Sequence, residues 1–540
     1  MNRLLLSCCV LALAAAFSAG TSAQGDPHRP SLSRKATSLF ASSDNCIACH
    51  NGLRTTSGDD VSIGTAWRST MMANSARDPY FQAGLRRETL EHPTRAAGIE
   101  HECAGCHAPM LQRAAHMDKR ETDLLHQLAV PDSDGAGHQL AIDGVSCAVC
   151  HQISGEGLGT RETANGRFQM APLGSPRVAF GPFAVNAGRA RIMSSVTGFK
   201  QTEAPHVQQS ALCATCHTLY TEALDSTGKV IGELPEQMTY YEWQQSAFYA
   251  EQRSCQSCHM PEVPERTRVA SVLGEEREGL SKHVFVGGNF LVLRMLDTLR
   301  TELHVEAPSA ALDATARATL QQLASESATI TLVGKRTGAQ LTADVTVRNL
   351  AGHKFPSGYP SRRTWIHLTA RDSAGQVVFE SGGLGADGAI AGNDNDADPA
   401  AFEPHYDRID KSDQVQVYES IMADSDGRAT TGLLHATRYL KDNRLLPRGF
   451  SKGSATPDTA VHGAAQSDVN FTGGEDTVSY TLPPSAVSIH VELRYQPIAF
   501  RWAQNLRPFD APEPQRFVRA FTDMASDSSA VVSQATMQVP

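Results

Sequence analysis

The sequence Cys-x-x-Cys-His occurs five times in the first half of this chain, and no other feature constrains the fold as strongly. The copies are Cys46, Cys49 and His50; Cys103, Cys106 and His107; Cys147, Cys150 and His151; Cys213, Cys216 and His217; and Cys255, Cys258 and His259. Two thiols separated by two residues, with histidine next, form the signature of covalent c-type haem attachment. The thiols add across the porphyrin vinyl groups, and the histidine reaches the iron as proximal ligand. A chain that holds five porphyrins can build much of its interior around them, so it need not carry continuous hydrophobic stripes.

Ten of the twelve cysteines lie in these motifs, and Cys8 and Cys9 fall in an N-terminal segment expected to be removed. Zinc ribbons use cysteine pairs two at a time. Here the number of pairs is odd, and each is followed by histidine. A disulfide framework would suit an exported chain, but it gives the five histidines no role. The expected cofactors are therefore five covalently bound c-type haems.

The first residues read as an export signal over 1–23. Arg3 supplies the positive start, residues 4–17 the apolar stretch, and Thr21, Ser22 and Ala23 a small-residue cleavage site before Gln24. The apolar run is shorter than the roughly 20 residues a spanning helix requires. Haem attachment of this kind takes place outside the bacterial cytoplasm, so the expected location is periplasmic or extracellular. The formal net charge of −10 argues against nucleic acid as a partner. It suits redox partner proteins, either other cytochromes or a membrane quinol-linked complex.

At 540 residues the chain is long enough for two domains. The expected fold class is α+β multidomain: a mainly α and irregular multihaem domain over 24–305, a connecting helix over 306–330, and an antiparallel, sandwich-like β domain over 331–540. Phe290, Leu291, Leu293, Leu296 and Leu299 keep near-helical spacing, and a second helix opens with Ser309 as N-cap. The period then changes to two at Leu341, Ala343, Val345 and Val347, and again at Val487, Ile489, Val491, Leu493 and Tyr495. Residues 382–399, rich in Gly, Ala, Asn and Asp, read as a long surface loop. Asp394, Asp396 and Asp398 alternate there as in a calcium loop, but the glycine is missing and His405 stands where the closing Glu belongs. A solvated acidic loop is the reading adopted.

The ligand on the second face of each iron largely decides what such a protein does. Of 20 histidines, five are proximal, so supply is ample. His206, seven residues before Cys213, and His283, ahead of Gly287, Gly288 and Asn289, are the first candidates for distal iron ligands. His353, on the turn 352–358 of the second domain, is a third candidate, placed to reach across the domain boundary. Met71 or Met72 is an alternative for the first haem, although methionine more often fills a core. His101 and His138 rank lower, and His92, His116 and His126 are read as solvated or capping.

With these motifs placed, the chain resembles exported multihaem cytochromes c of the broad hydroxylamine-oxidoreductase and tetrahaem-cytochrome group, and more narrowly members with a haem domain followed by a β domain. The resemblance rests on residues 67–81 (Trp-Arg-Ser-Thr-Met-Met-Ala-Asn-Ser-Ala-Arg-Asp-Pro-Tyr-Phe), on Cys106-His107-Ala108-Pro109-Met110, and on Cys258-His259-Met260-Pro261. Residues 283–289, 352–363 and 439–444 also carry it. Two departures matter. Pentahaem nitrite reductases use a Cys-x-x-Cys-Lys site, which this chain lacks, and hydroxylamine oxidoreductases attach eight haems.

The expectation is thus an electron carrier with no catalytic side chain. Two alternatives stand beside it. One is an oxidoreductase acting on a small nitrogen or sulfur compound at one five-coordinate haem, with Arg68, Arg77, Tyr80, Tyr240 and Tyr241 lining the pocket. The other is a subunit of an extracellular conductive assembly.

Overall fold

In a computed structural model, residues 32–129, 135–171 and 175–539 are described. The export signal expected over 1–23, with Cys8 and Cys9, lies outside them. The first half is a succession of short helices, and each motif begins on one: Ser43–Ile47, Ala96–His107, Cys147–Cys150, Ser210–His217 and Cys255–His259. The spacing explains this. On a helix, residues i, i+3 and i+4 share a face, so one turn presents both cysteines and the histidine to the same side. Apolar packing here is divided among small clusters, such as Leu85, Ile99, Leu111 and Leu124, or Phe40, Val149, Ile153 and Phe168.

The second half is built from β-structure. One sheet has the order Val377–Ser381, Arg363–Arg371, Ser488–Gln496, Ala530–Gln538, with Val417–Tyr418 also paired to Arg363–Arg371. A second has the order Arg408–Ile409, Glu475–Leu482, Gln340–Asn349, Ala328–Thr337. Leu341, Ala343, Val345 and Val347 of one sheet and Ile489, Val491 and Leu493 of the other belong to a single buried core, as the period-two pattern requires. A three-stranded sheet, Ala429–Thr430, Ser420–Ala423, Arg438–Asp442, completes this half. The chain is α+β.

Four details differ from the sequence reading. Helix Ser309–Gln322 has Pro308, not Ser309, at its N-cap, and the Ser309 hydroxyl instead donates to Asp297. Two pairings are parallel, Arg177–Gly181 with Phe199–Glu203 and Arg408–Ile409 with Glu475–Leu482. The segment 382–399 is a loop that exposes Asp394 and Asp398 but is not solvated throughout. It contains the helical turn Asp394–Ala397, and Asp396 is buried in a bidentate pair with Arg363 at 2.7 and 2.9 Å. Arg363 needs that carboxylate because an unpaired guanidinium buried in a strand is very costly. Finally, His92 is buried, with its ring centre 4.7 Å from that of His435.

The halves share one core, which joins Ala83, Leu234 and Phe290–Leu293 to the β strands. Helix Pro79–Glu91 lies against helix Pro512–Asp523, where Tyr80 packs on Phe517 at 5.0 Å and Arg86 grips Glu513 through two bonds of 2.9 Å. Among the described residues no helix is long and apolar enough to cross a membrane.

Candidate metal and cofactor centres

The five motif helices stand beside one another in an order the sequence does not reveal. Ser43 and Ser210 each lie three residues before the first cysteine of motifs 1 and 4. The Ser43 hydroxyl accepts the amide of Cys147 at 3.4 Å, and that of Ser210 accepts the amide of Cys255 at 3.0 Å. One device thus joins motif 1 to motif 3 and motif 4 to motif 5. The thiols of Cys46 and Cys147, and of Cys213 and Cys255, lie close enough to act on one another. Cys106 of motif 2 meets Cys216 of motif 4 in the same way, and Cys150 of motif 3 is close enough to Cys213 to act on it. The spatial sequence is therefore 1, 3, 4, 5, with motif 2 beside motif 4.

Four of the motif histidines turn Nδ1 to a backbone carbonyl: His50 to Val269 at 2.6 Å, His107 to Ser75 at 3.0 Å, His151 to Phe180 at 2.6 Å and His259 to Val286 at 2.5 Å. A histidine that ligates a metal almost always donates its other N–H to a carbonyl or carboxylate, which fixes tautomer and ring orientation. Nε2 is then the ligand atom left over. No sequence signal marks these carbonyls, because a backbone oxygen is independent of residue type.

Two of the three candidate distal histidines lie opposite a motif histidine. The ring centres of His151 and His283 are 6.3 Å apart with planes 19° from parallel. Those of His259 and His353 are also 6.3 Å apart, at 12°. His283 and His353 likewise place Nδ1 on carbonyls, of Ser281 at 3.0 Å and Lys354 at 2.9 Å. A metal held between two imidazole nitrogens at about 2 Å each sets the ring centres roughly 6 Å apart. Burial pushes His107, His217 and His283 down to about 4, which keeps the neutral form a metal needs. The His217 side chain keeps exposed surface. These residues fit a porphyrin iron at each motif.

His206 is arranged differently. Its Nε2, rather than Nδ1, meets a carbonyl, that of Ile153 at 2.8 Å, and its ring lies edge-on to Phe180 at 5.0 Å. Among the described ring contacts it faces no motif histidine. Met71 packs against the main core. The side chains named for an alternative substrate pocket fall into separate groups, with Arg68 and Arg77 lining one cavity. Arg68 and Arg77 turn toward Glu306, Tyr80 packs against Tyr359 and Phe517, and Tyr240 and Tyr241 share the helix Thr239–Gln244.

The turn that carries His353 rests on charges that sequence reading missed. Lys354 is completely buried and donates to Asp442 at 2.7 Å, while Arg444 bonds Asp442 at 2.8 and 2.9 Å and pairs with Glu242 at 2.9 Å. The Lys354 amide donates to Glu242 at 3.1 Å. Burial alone raises a carboxylate, but Arg444 and Lys354 prevail and hold Asp442 far below the usual range. Two cations and two anions therefore fix the backbone immediately after His353.

A second buried group lies in the β half. His405, Asp468 and Asp476 bring ligand-type atoms together, but the hydrogen bonds argue against a metal. Gln416 and Asn443 both donate to His405 Nδ1, at 2.9 and 3.0 Å, and each amide's orientation is fixed by backbone amides donating to its oxygen. The proton is thereby placed on Nε2, which donates to Asp468 at 3.0 Å, and no lone pair is left there for an ion.

The chain is similar in fold to a penta-haem cytochrome c552 from Thermochromatium tepidum, with a TM-score of 0.50 and 18% identity over 93% of this chain and 100% of that one. No protein-family model and no curated protein matches it.

Proposed function

We propose that the chain attaches five c-type haems and serves as an exported multihaem electron carrier. The observation that carries this reading is the convergence of all five Cys-x-x-Cys-His motifs into one spatial series. The ten motif cysteines would hold the porphyrins, and His50, His107, His151, His217 and His259 the irons. His283 and His353 would close the second faces at motifs 3 and 5. When bound, the haems supply one-electron chemistry. The protein contributes close spacing and rings fixed by backbone carbonyls. His206 remains a proposed distal ligand, which would act through Nδ1. The similarity to a protein described as a penta-haem cytochrome supports the same count.

An apolar leader at 1–23 supports export to the periplasm or beyond, and the net charge of −10 suits a basic redox partner. The proposal is tested by mass spectrometry and magnetic-resonance spectroscopy of the oxidised holoprotein. Five covalent haems with low-spin signals, and no carbon monoxide binding after reduction, are expected. A high-spin iron together with turnover of a nitrogen or sulfur substrate would overturn the carrier reading.

A further inference from the structure

Two buried glutamates beside motif 2 have no role in the proposed carrier. Glu88 is 6% exposed on helix Pro79–Glu91, and Glu236 is 2% exposed on strand Val230–Gln237. Each satisfies only one carboxylate oxygen. Glu88 Oε1 accepts the Leu433 amide at 2.9 Å and Glu236 Oε2 accepts the Thr221 hydroxyl at 2.5 Å, while Glu88 Oε2 and Glu236 Oε1 are buried without a hydrogen-bond partner. A buried anion left half-satisfied is expensive, whereas a protonated carboxyl is not. Both side chains stand close enough to Cys103 to raise its thiol, and Glu88 acts on Glu236 in the same direction.

We propose that Glu88 and Glu236 form a proton-loading site, which takes one proton from solvent when the haem held by Cys103, Cys106 and His107 gains one electron. The inference rests on the haem attachment proposed above. The electron comes from a one-electron donor, a neighbouring haem or a chemical reductant. Iron(III) becomes iron(II), and one carboxylate becomes a carboxylic acid by taking a solvent proton. The sign follows from charge: reduction removes positive charge near the carboxylates and makes protonation easier. By reciprocity the midpoint potential at motif 2 falls as pH rises.

The surroundings do not supply a competing cation for both acids. Around Glu88 stand Arg87, Glu91 and His435, with burial pushing its carboxyl up. Around Glu236 stand Thr221, Gln237 and Glu88, with Tyr359 and Tyr439 nearby, and burial pushes it to about 7. The motif helix adds two further acids, Glu100 and Glu102, and the histidines His101 and His107. His435, on the turn Leu433–His435, is half-exposed and within electrostatic reach of Glu88, so it is the surface end of the cluster.

Redox-difference infrared spectroscopy of the holoprotein tests this directly. The reduced state is expected to gain a protonated-carboxyl C=O band that shifts in heavy water. Glu236→Gln or Glu88→Gln should remove it, and with it the pH dependence of one midpoint, whereas Glu251→Gln, at an exposed pair with Arg448, should retain both. Proton uptake by the unmodified protein on reduction in unbuffered solution gives the same answer without any variant. Absence of the band with five haems attached, or its persistence in both glutamate variants, would overturn the proposal alone. A peptide carrying Cys103 and Cys106 without haem would overturn the proposed function as well.

Discussion

The two opposed-histidine sites share one geometry and are built in different ways. At motif 3, His151 faces His283, which comes from the same half of the chain. At motif 5, His259 faces His353, which is delivered by a turn of the β half. Both pairs measure 6.3 Å between ring centres, so the β half is not an appendage. It carries one side of an opposed-histidine pair, and a buried set of four charges holds it in position. The sites also touch through a short stretch of chain. His283 completes the motif 3 pair, and three residues later the Val286 carbonyl holds Nδ1 of His259. Between them Phe285 adopts φ = 41°, a left-handed backbone that is unusual for a bulky residue.

This contrast can be broken most severely at the charges. Asp442→Ala leaves Lys354 and Arg444 buried without their shared carboxylate and should cost about 3–5 kcal/mol in denaturant unfolding. The motif 5 spectrum should change while that of motif 3 holds. Equal damage to both centres would show that the charges support the whole fold rather than this turn.

The histidines should give an asymmetric result. His353→Ala is expected to convert one centre of five to a high-spin form that binds carbon monoxide, leaving motif 3 unaltered. His283→Ala should open motif 3 and also disturb motif 5, because its backbone segment holds His259. Spectra in which neither variant perturbs the other centre would separate the two sites.

Smaller effects test the contact between the halves. Arg86→Ala removes a two-bond pair with Glu513 and should lower stability by about 1 kcal/mol, with no spectral change at either site.

The mildest effect concerns acid. Hydrogen bonding from His367, against burial and helped by Arg494, lowers Glu492 to about 2. Its stabilisation is therefore present above the unfolded carboxyl value near 4.5 and is lost as pH falls toward 2. Glu492→Gln should flatten that part of an acid-unfolding curve, monitored by circular dichroism. The pair lies on the outer face of the β half, so the haem spectra should not respond above that range.

Much of this protein is legible residue by residue. A five-residue motif needs only its own helical turn to place two thiols and an imidazole, so all five proposed attachment sites could be read directly. Alternation at 341–347 and 489–495 gave the sheets because burial repeats every second residue in a strand. Residues 382–399 misled, because composition says nothing about the distant Arg363 that draws Asp396 inside. His206 was placed by proximity in sequence to Cys213, and proximity does not determine which ring nitrogen a carbonyl will occupy.

The sequence by itself thus determined the number and composition of the proposed attachment motifs, since each motif is a local property of neighbouring residues. Only the tertiary structure decided their order in space, the carbonyls that orient four of the motif rings, and which histidines stand opposite motifs 3 and 5. Those depend on contacts between residues tens to hundreds of positions apart, and backbone oxygens, which perform much of that work, leave no trace in the identity of the side chains.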